Sequence, residues 1–406
     1  MRNKLIWLAV CASLTVLFLS MGGAATFERA ITRVSREIQS AAVFFVPSIT
    51  IGKIQNNYQS AQKVRILIVP GHQPDAGGTE FGGVYERNVV VDIADALAEF
   101  LVKNSHYDVM IARNKTAWNP TLQSYFDTHA LEIDTFQQSQ SLQMKNYLAN
   151  GSILPGADQI YHNSAPSSAA RQLYGINKWT SDNKYDIVLH LHLNDYAGRR
   201  ALSVGKYDGF TIYVPDHQYS NAEASKAIGM TIAARLNAYN ATSTLPKEDV
   251  GVVEDQELIA IGSNNTADGA ALLIEYGYIY EPQFQSAKTR PVAITDYAYQ
   301  TYLGLQDFFK DPIMPTFGSI SFPYDWSQVT ANKSERGPDI YALQAALHYL
   351  GYYPPAGMSF SDCPISGKVG ACTHSAIKEY QTSRNIEATG TLGPKTRVAL
   401  EKDFML

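Results

Sequence analysis

The sequence predicts an α/β fold: a mostly parallel twisted sheet flanked by helices, followed by a small C-terminal three-helix domain. Three observations lead there. Short runs rich in β-branched residues (64–69, 107–112, 186–193, 210–214, 271–275) alternate with helical stretches (89–102, 222–236, 293–309), as expected of strands joined by crossover helices. Turn signals separate them; Pro70-Gly71-His72 closes the first run. From residue 337 the apolar spacing turns helical, with Ile340, Leu343, Leu347 and Leu350 on one face.

Composition sets the outer limits. The 406 residues exceed one ordinary domain. With 45% hydrophobic and 17% charged residues, the chain is not a disordered one. A net charge of −5 gives no electrostatic case for nucleic acid as a partner. Three cysteines exclude a disulfide-dense scaffold and a four-cysteine zinc site.

Taken in order, Arg2 and Lys4 precede an apolar run from Leu5 to Ala25, and Gly23-Ala24-Ala25 supplies small residues for a cleavage site. Residues 1–25 read as a signal peptide or, uncleaved, a membrane anchor; either way the remainder is exported. Cys11 lies inside this run, which continues too far past it for a lipoprotein. Residues 26–61 form an amphipathic lead-in, with Phe27, Ile31, Val34, Ile38 and Ala42 at helical spacing. Residues 62–310 hold the α/β domain. Within it, residues 114–176 are polar and too long for a connection, and read as an insertion that covers the site. The prolines at 312, 315 and 323 mark 311–335 as a linker. Residues 336–406 form the small helical domain, whose further stripes are Ala376, Ile377 and Tyr380, then Val398 and Leu400.

Ligands of open α/β sheets bind outside the carboxyl ends of the strands. His72 follows the first strand, His192 and Asn194 end the 186–193 run, Glu275 ends the 271–275 run, and Glu86 opens the 89–102 helix. Two histidines and two carboxylates at one sheet edge suit a catalytic zinc, which takes three protein ligands, with one carboxylate left as general base. His190 faces the same way as His192, two residues apart on a strand, so either could reach a metal; His192 is nearer the strand end. The other histidines read as surface or packing residues.

These residues resemble a known family. Val69-Pro70-Gly71-His72, Gly77-Gly78, and Glu86-Arg87-Asn88-Val89-Val90-Val91-Asp92 look like the opening of the zinc-dependent N-acetylmuramoyl-L-alanine amidases. Leu191-His192-Leu193-Asn194 resembles their His-Ala-Asn strand end, and Leu273-Ile274-Glu275-Tyr276-Gly277 their catalytic Glu motif. The resemblance covers residues 64–310. It implies that His72, Glu86 and His192 hold zinc and that Glu275 is the catalytic carboxylate, with Asn194 and His190 near the substrate. The implied reaction is hydrolysis of the amide joining N-acetylmuramic acid to L-alanine in peptidoglycan. Departures are Gln73 in place of Gly, His190 in place of Ser, Leu193 in place of a small residue, and the insertion after Arg113.

The last 70 residues resemble a three-helix peptidoglycan-binding domain through Gly337, Asp339, Leu343-Gln344, Leu350-Gly351-Tyr352, Tyr380-Gln381 and Gly390-Thr391-Leu392-Gly393-Pro394. Tyr352, Tyr353 and Gln381 are its candidate contacts. Cys363 and Cys372, nine apart around a loop in an exported chain, are expected to pair. The resemblance implies peptidoglycan as partner and the bacterial envelope, periplasm or wall, as location. A regulatory partner acting on residues 114–176 is a further expectation; the acidic 254–257 stretch reads as a solvated loop, in preference to a source of a blocking ligand for zinc. Two rival functions stand beside the amidase: a zinc peptidase acting within the peptide stem, and a non-catalytic wall-binding protein.

Overall fold

Val64–Pro70 (β1) is apolar on both faces, the signature of a strand in a covered parallel sheet. It sits inside a six-stranded sheet of order β4-β1-β5-β8-β6-β7. The partners are Tyr107–Ile111 (β4), Ile187–Asn194 (β5), Thr211–Pro215 (β6), Val252–Asp255 (β7) and Ala270–Tyr278 (β8). A short hairpin of Glu80–Phe81 (β2) and Val84–Tyr85 (β3) stands apart from it. β1 pairs in parallel with β4 and β5, and β5 with β8, whereas β6 runs antiparallel to β8. The fold is the expected mixed α/β one with a mostly parallel sheet. In this computed structural model the described residues are 49–404 apart from 61, 157–159, 161, 163–164, 263–267, 312–323, 327–328 and 330–335. The export segment, Cys11, most of the lead-in and most of the linker therefore lie outside the described residues. Among the described residues no helix is long and apolar enough to cross a membrane.

Side chains alternate across the sheet. Ile66, Ile68, Leu189, Leu191, Leu272 and Ile274 share one core with Glu86–Leu101 (α2), Ala222–Tyr239 (α6) and Arg290–Phe309 (α8). Leu67, Val69, Val188, Ala271 and Leu273 face the other way, against Leu122 of Pro120–Thr128 (α3) and Ile176 and Trp179 of Ser167–Asp182 (α5). The segment read as an insertion thus supplies a structural layer on this second face: α3, then Ala130–Ala149 (α4), then the start of α5. Parity assigns His190, His192 and Glu275 to that second face. Before β1 lies Ile51–Gln59 (α1), N-capped by Thr50, whose hydroxyl accepts from Lys53 N. Pro282–Gln285 (α7) is a single turn between β8 and α8.

The C-terminal helices are Pro338–Tyr349 (α9), Ala371–Ser383 (α10) and Pro394–Phe404 (α11). Leu343, Leu347, Ala376, Tyr380, Leu400 and Phe404 make their core. Val398 departs from the expected stripe: it is exposed, because residues two apart point to opposite sides of a helix and Leu400 takes the inner side. Gln381 and Tyr353 are also buried rather than presented to a ligand. Gln381 Nε2 donates to Thr391 O at 2.8 Å and its Oε1 accepts from Gly390 N at 2.9 Å. Tyr353 donates to Pro364 O. Cys363 and Cys372 are joined as a disulfide.

This helical module is packed onto α6 and α8. Tyr239 of α6 belongs to the module's core and stacks on Tyr349, while Tyr341 of α9 belongs to the core of the sheet domain. Tyr341 Oη donates to Asn240 Oδ1 at 3.0 Å, and Asn240 Nδ2 donates to Asp296 at 3.0 Å. All three residues are buried.

Candidate active site

The ends of β1, β5 and β8 meet the start of α2. Gly71 N continues the ladder by donating to Leu191 O at 2.8 Å. A Cβ at Gly71 would lie 2.3 Å from His192 Cε1, so only glycine fits there. His72 then takes a left-handed backbone, φ 68°, which turns its ring back toward β5. Gly78, at φ 81°, lets the following loop pass so close that a Cβ would lie 3.0 Å from His72 Cδ2.

Glu86 is the first residue of α2 and only 2% exposed. Its Oε1 lies 2.7 Å from His72 Nε2 and 3.2 Å from His192 Nδ1, and accepts from Leu193 N at 3.1 Å. Its Oε2 accepts from Thr79 N at 2.8 Å and from the Thr79 hydroxyl at 3.1 Å. The three candidate ligand atoms all lie within 4.8 Å of one another. Burial pushes the Glu86 carboxyl up, but the His72 and His192 rings outweigh it and hold it well below the ordinary range. Burial lowers the His192 ring, with Glu86 offsetting part of the effect, so a lone pair remains available for a metal.

Glu275 on β8 is register partner to His192 on β5. Among the described residues, its Oε2 is enclosed without a hydrogen-bond partner. Burial first, then the charges of Glu86, Glu248 and Asp195, raise the Glu275 carboxyl well above its usual value. Two imidazole nitrogens and a carboxylate oxygen converging beside a fourth, unpaired carboxylate fit a zinc-type donor set.

Asn194 is not part of this cleft. It is buried, and its Nδ2 donates to Glu248 Oε2 at 2.8 Å and to Tyr278 Oη at 3.3 Å. Glu248 also accepts from Tyr213 and Ser243, tying the ends of β5, β6 and β8 together behind Glu275. His190 is fully buried and lines the cleft, and burial lowers its ring to about 3.

Three residues here escaped sequence reasoning. Arg113, 2% exposed, donates from Nε to Pro70 O (3.1 Å), from Nη1 to Asn114 O (3.0 Å), and from Nη2 to Gly71 O and Arg87 O. It thereby grips the chain just before His72 and just after Glu86. Glu248 is the second. The third is His162, read above as a packing residue, which lines the cleft 3.0 Å from Asp255. The 254–257 segment is not the solvated loop expected: Glu254 and Asp255 end strand β7, and Asp255 and Gln256 are buried. Asp255 accepts from Glu257 N and Leu258 N, and Glu254 pairs with Lys226 at 2.7 Å. Asp216, His217 and Glu254 form a second group of ligand-type atoms. Lys226 already occupies one Glu254 oxygen there, and His217 is exposed.

A mostly parallel α/β sheet with a His-Glu-His cluster and a spare carboxylate at its strand ends has the make-up of a metal-dependent hydrolase. Residues 66–307 match the N-acetylmuramoyl-L-alanine amidase family, and residues 336–400 match a peptidoglycan binding domain. The chain belongs to the N-acetylmuramoyl-L-alanine amidase family. It is a hydrolase that cleaves the N-acetylmuramoyl-L-alanine amide of peptidoglycan, and its C-terminal domain binds the same polymer. That substrate sets its location in the cell envelope or outside the cell.

Solved structures with similarity include the N-acetylmuramoyl-L-alanine amidase of Clostridium difficile 630: 16% identity, 61% of this chain, 97% of that chain, TM-score 0.38. The CwlD amidase of Clostridioides difficile, solved in complex with the GerS lipoprotein, shows 15% identity over 61% of this chain and 99% of its own, TM-score 0.39. The amidase of Nostoc punctiforme shows 13% identity over 62% and 99%, TM-score 0.37. No curated protein sequence matches the chain.

Proposed function

We propose that the amidase reaction runs on a zinc ion held by His72 Nε2, Glu86 Oε1 and His192 Nδ1, with Glu275 as the proton-transfer group. The observation that carries this reading is the convergence of those three atoms beside an unpartnered Glu275 Oε2. When bound, zinc supplies Lewis-acid activation of water and of the amide carbonyl. Glu86 contributes the one negative charge of the ligand set, and its second oxygen stays fixed by Thr79. Glu275 takes a proton from the attacking water, whose oxygen bonds to the carbonyl carbon, and hands it to the alanyl nitrogen as the C–N bond breaks. Its Oε2, which no other group engages among the described residues, is the atom that would carry that proton between the two steps. The products are a free lactyl carboxylic acid and the amine of L-alanine.

The division into a catalytic domain at 62–310, a linker at 311–335 and a binding domain at 336–406 belongs to the same proposal, supported by the matched ranges 66–307 and 336–400. So does export, through residues 1–25 as signal peptide or anchor. We assign 114–176 the role of a cleft wall on which a partner could act: Gln73, next to His72, donates to Gln172 of α5 at 2.7 Å. The test is Glu275→Gln. It should retain one zinc per chain and lose at least about a hundredfold in hydrolysis of a muramoyl-peptide substrate; retained turnover would refute the assignment.

A further inference from the structure

Two polar side chains on neighbouring strands lack partners. Glu275 is the proton-transfer group of the reaction proposed above, yet its enclosed Oε2 accepts nothing among the described residues. Glu86, by contrast, is gripped by Thr79 and Leu193. Thr211 on β6 is fully buried, and its hydroxyl is likewise without a hydrogen bond among the described residues. A buried hydroxyl that donates to nothing is costly unless some step of the protein's work completes it.

The sheet sets the two groups opposite each other. β6 runs antiparallel to β8, and Thr211 is the register partner of Glu275. Both side chains lie on the second face of the sheet. Tyr213 and Leu273, two residues along each strand and themselves register partners, pack in that face's core. Opposed residues of an antiparallel pair have Cβ atoms about 4.5–5.5 Å apart, so a change of rotamer in either side chain joins hydroxyl to carboxylate. The other neighbours of Thr211 on this face compete poorly. Leu273 is apolar, and the Tyr213 hydroxyl is committed to Glu248. On the far side of β6, β7 starts at Val252, the partner of Ile212, and the residue before it is Gly251, which brings no side chain. Beyond Glu275 the ladder is interrupted: the β5–β8 register shifts between His192 and Asn194, and Gly277 takes φ 144°. Such bulges re-aim the side chains beside them, which leaves the direction of the Glu275 carboxylate to a side-chain contact.

We propose that Thr211 is a positioning residue for the amidase reaction: its hydroxyl donates to the Glu275 carboxylate and fixes the direction in which that group meets water and the alanyl nitrogen. Each carboxylate oxygen has two lone pairs. The hydroxyl occupies one, and another takes and returns the proton. A proton-transfer group has to stay within hydrogen-bond reach of both reacting atoms, so losing the hold falls on turnover and not on substrate binding. The inference rests on Glu275 acting as proposed above.

The test uses the full zinc-loaded chain and a soluble muramoyl-peptide. Thr211→Val keeps the shape and removes the hydroxyl; it should lower kcat about tenfold or more, with KM and zinc content within about twofold of wild type. Thr211→Ala is the second hydroxyl-free variant, should valine not fold. Thr211→Ser keeps the hydroxyl and should stay within about threefold of wild type. In crystals of the full chain grown with zinc, Thr211 Oγ1 should lie within about 3.2 Å of a Glu275 oxygen. A folded hydroxyl-free variant with wild-type kcat, assayed beside an inactive Glu275→Gln, would overturn the proposal. So would a serine variant that loses as much as valine, a loss falling on KM or zinc content, or a Thr211 hydroxyl bonded to another acceptor in the crystal. An active Glu275→Gln would instead overturn the proton-transfer reading, and this inference with it.

Discussion

Replacing Arg113 by methionine probes how the ligand cluster is held. The guanidinium is buried, and it donates to the carbonyls of Pro70, Gly71, Asn114 and Arg87. Methionine keeps much of the volume and removes every donor. Stranding the buried carbonyls costs ~1–3 kcal/mol each. Part of that is offset, because burial already lowers the Arg113 guanidinium to about 10, with the Glu86 carboxylate opposing the shift. A net loss of about 2–4 kcal/mol is expected. The loop before His72 and the turn after Glu86 lose their shared anchor, so zinc affinity should fall by about 10- to 100-fold, the usual cost of removing an outer-shell partner. Arg113→Lys keeps the charge but not the planar fork, and should recover only part of the loss. The assay is competition for zinc against a chromophoric chelator, on protein shown to be folded, alongside urea unfolding of the metal-free chain. A folded Arg113→Met variant that binds zinc within twofold of wild type would refute the reasoning.

Other consequences follow from buried polar groups and the cross-link. Burial lifts Asp296 to about 6, with the hydrogen bonds from Asn240 and Gln300 opposing it. The native state therefore binds more protons than the unfolded one between about pH 4 and 6, and stability falls as pH rises through that window. Urea unfolding at pH 4.5 and 7.5 should show wild type losing ~2 kcal/mol more than Asp296→Asn; equal pH slopes would contradict this. Tyr341→Phe strands the buried Asn240 Oδ1 at the junction of the two domains and should cost ~1–2 kcal/mol. The whole chain should show one shifted urea transition; a separate early transition of the C-terminal helices, with the rest unmoved, would contradict it. Reducing Cys363–Cys372, nine residues apart, should lower the stability of those helices by ~2.7 kcal/mol on the chain-entropy estimate; an unchanged midpoint in reductant would argue against that contribution.

The strands that build the site were legible because burial on both faces leaves continuous apolar runs, as in Val64–Pro70, and because the polar residues His72, His192 and Glu275 interrupt or end those runs. Glu86 was legible through the glycine-rich loop leading into an apolar helix. What was hidden depends on contacts far apart in sequence. Arg113 looks like any polar residue after a strand, and its value lies in carbonyls 42 and 26 positions away. Glu248 reads as a loop acid, yet it is buried because Asn194, Tyr213, Ser243 and Tyr278 converge on it. Asn194 sits at the strand end where the substrate was expected, but that same carboxylate turns it inward. Residues 114–176 carry little helical periodicity in α4, so their role as the second layer on the sheet came only from the packing of α3 and α5.

Anomalous scattering at the zinc edge, from crystals of the full chain grown with zinc, tests the central claim most directly. One strong peak is expected between His72 Nε2, Glu86 Oε1 and His192 Nδ1, with Glu275 adjacent but not ligating. A zinc-soaked crystal with no peak there, or with its only peak at Asp216, His217 and Glu254, would contradict the assignment of the active site.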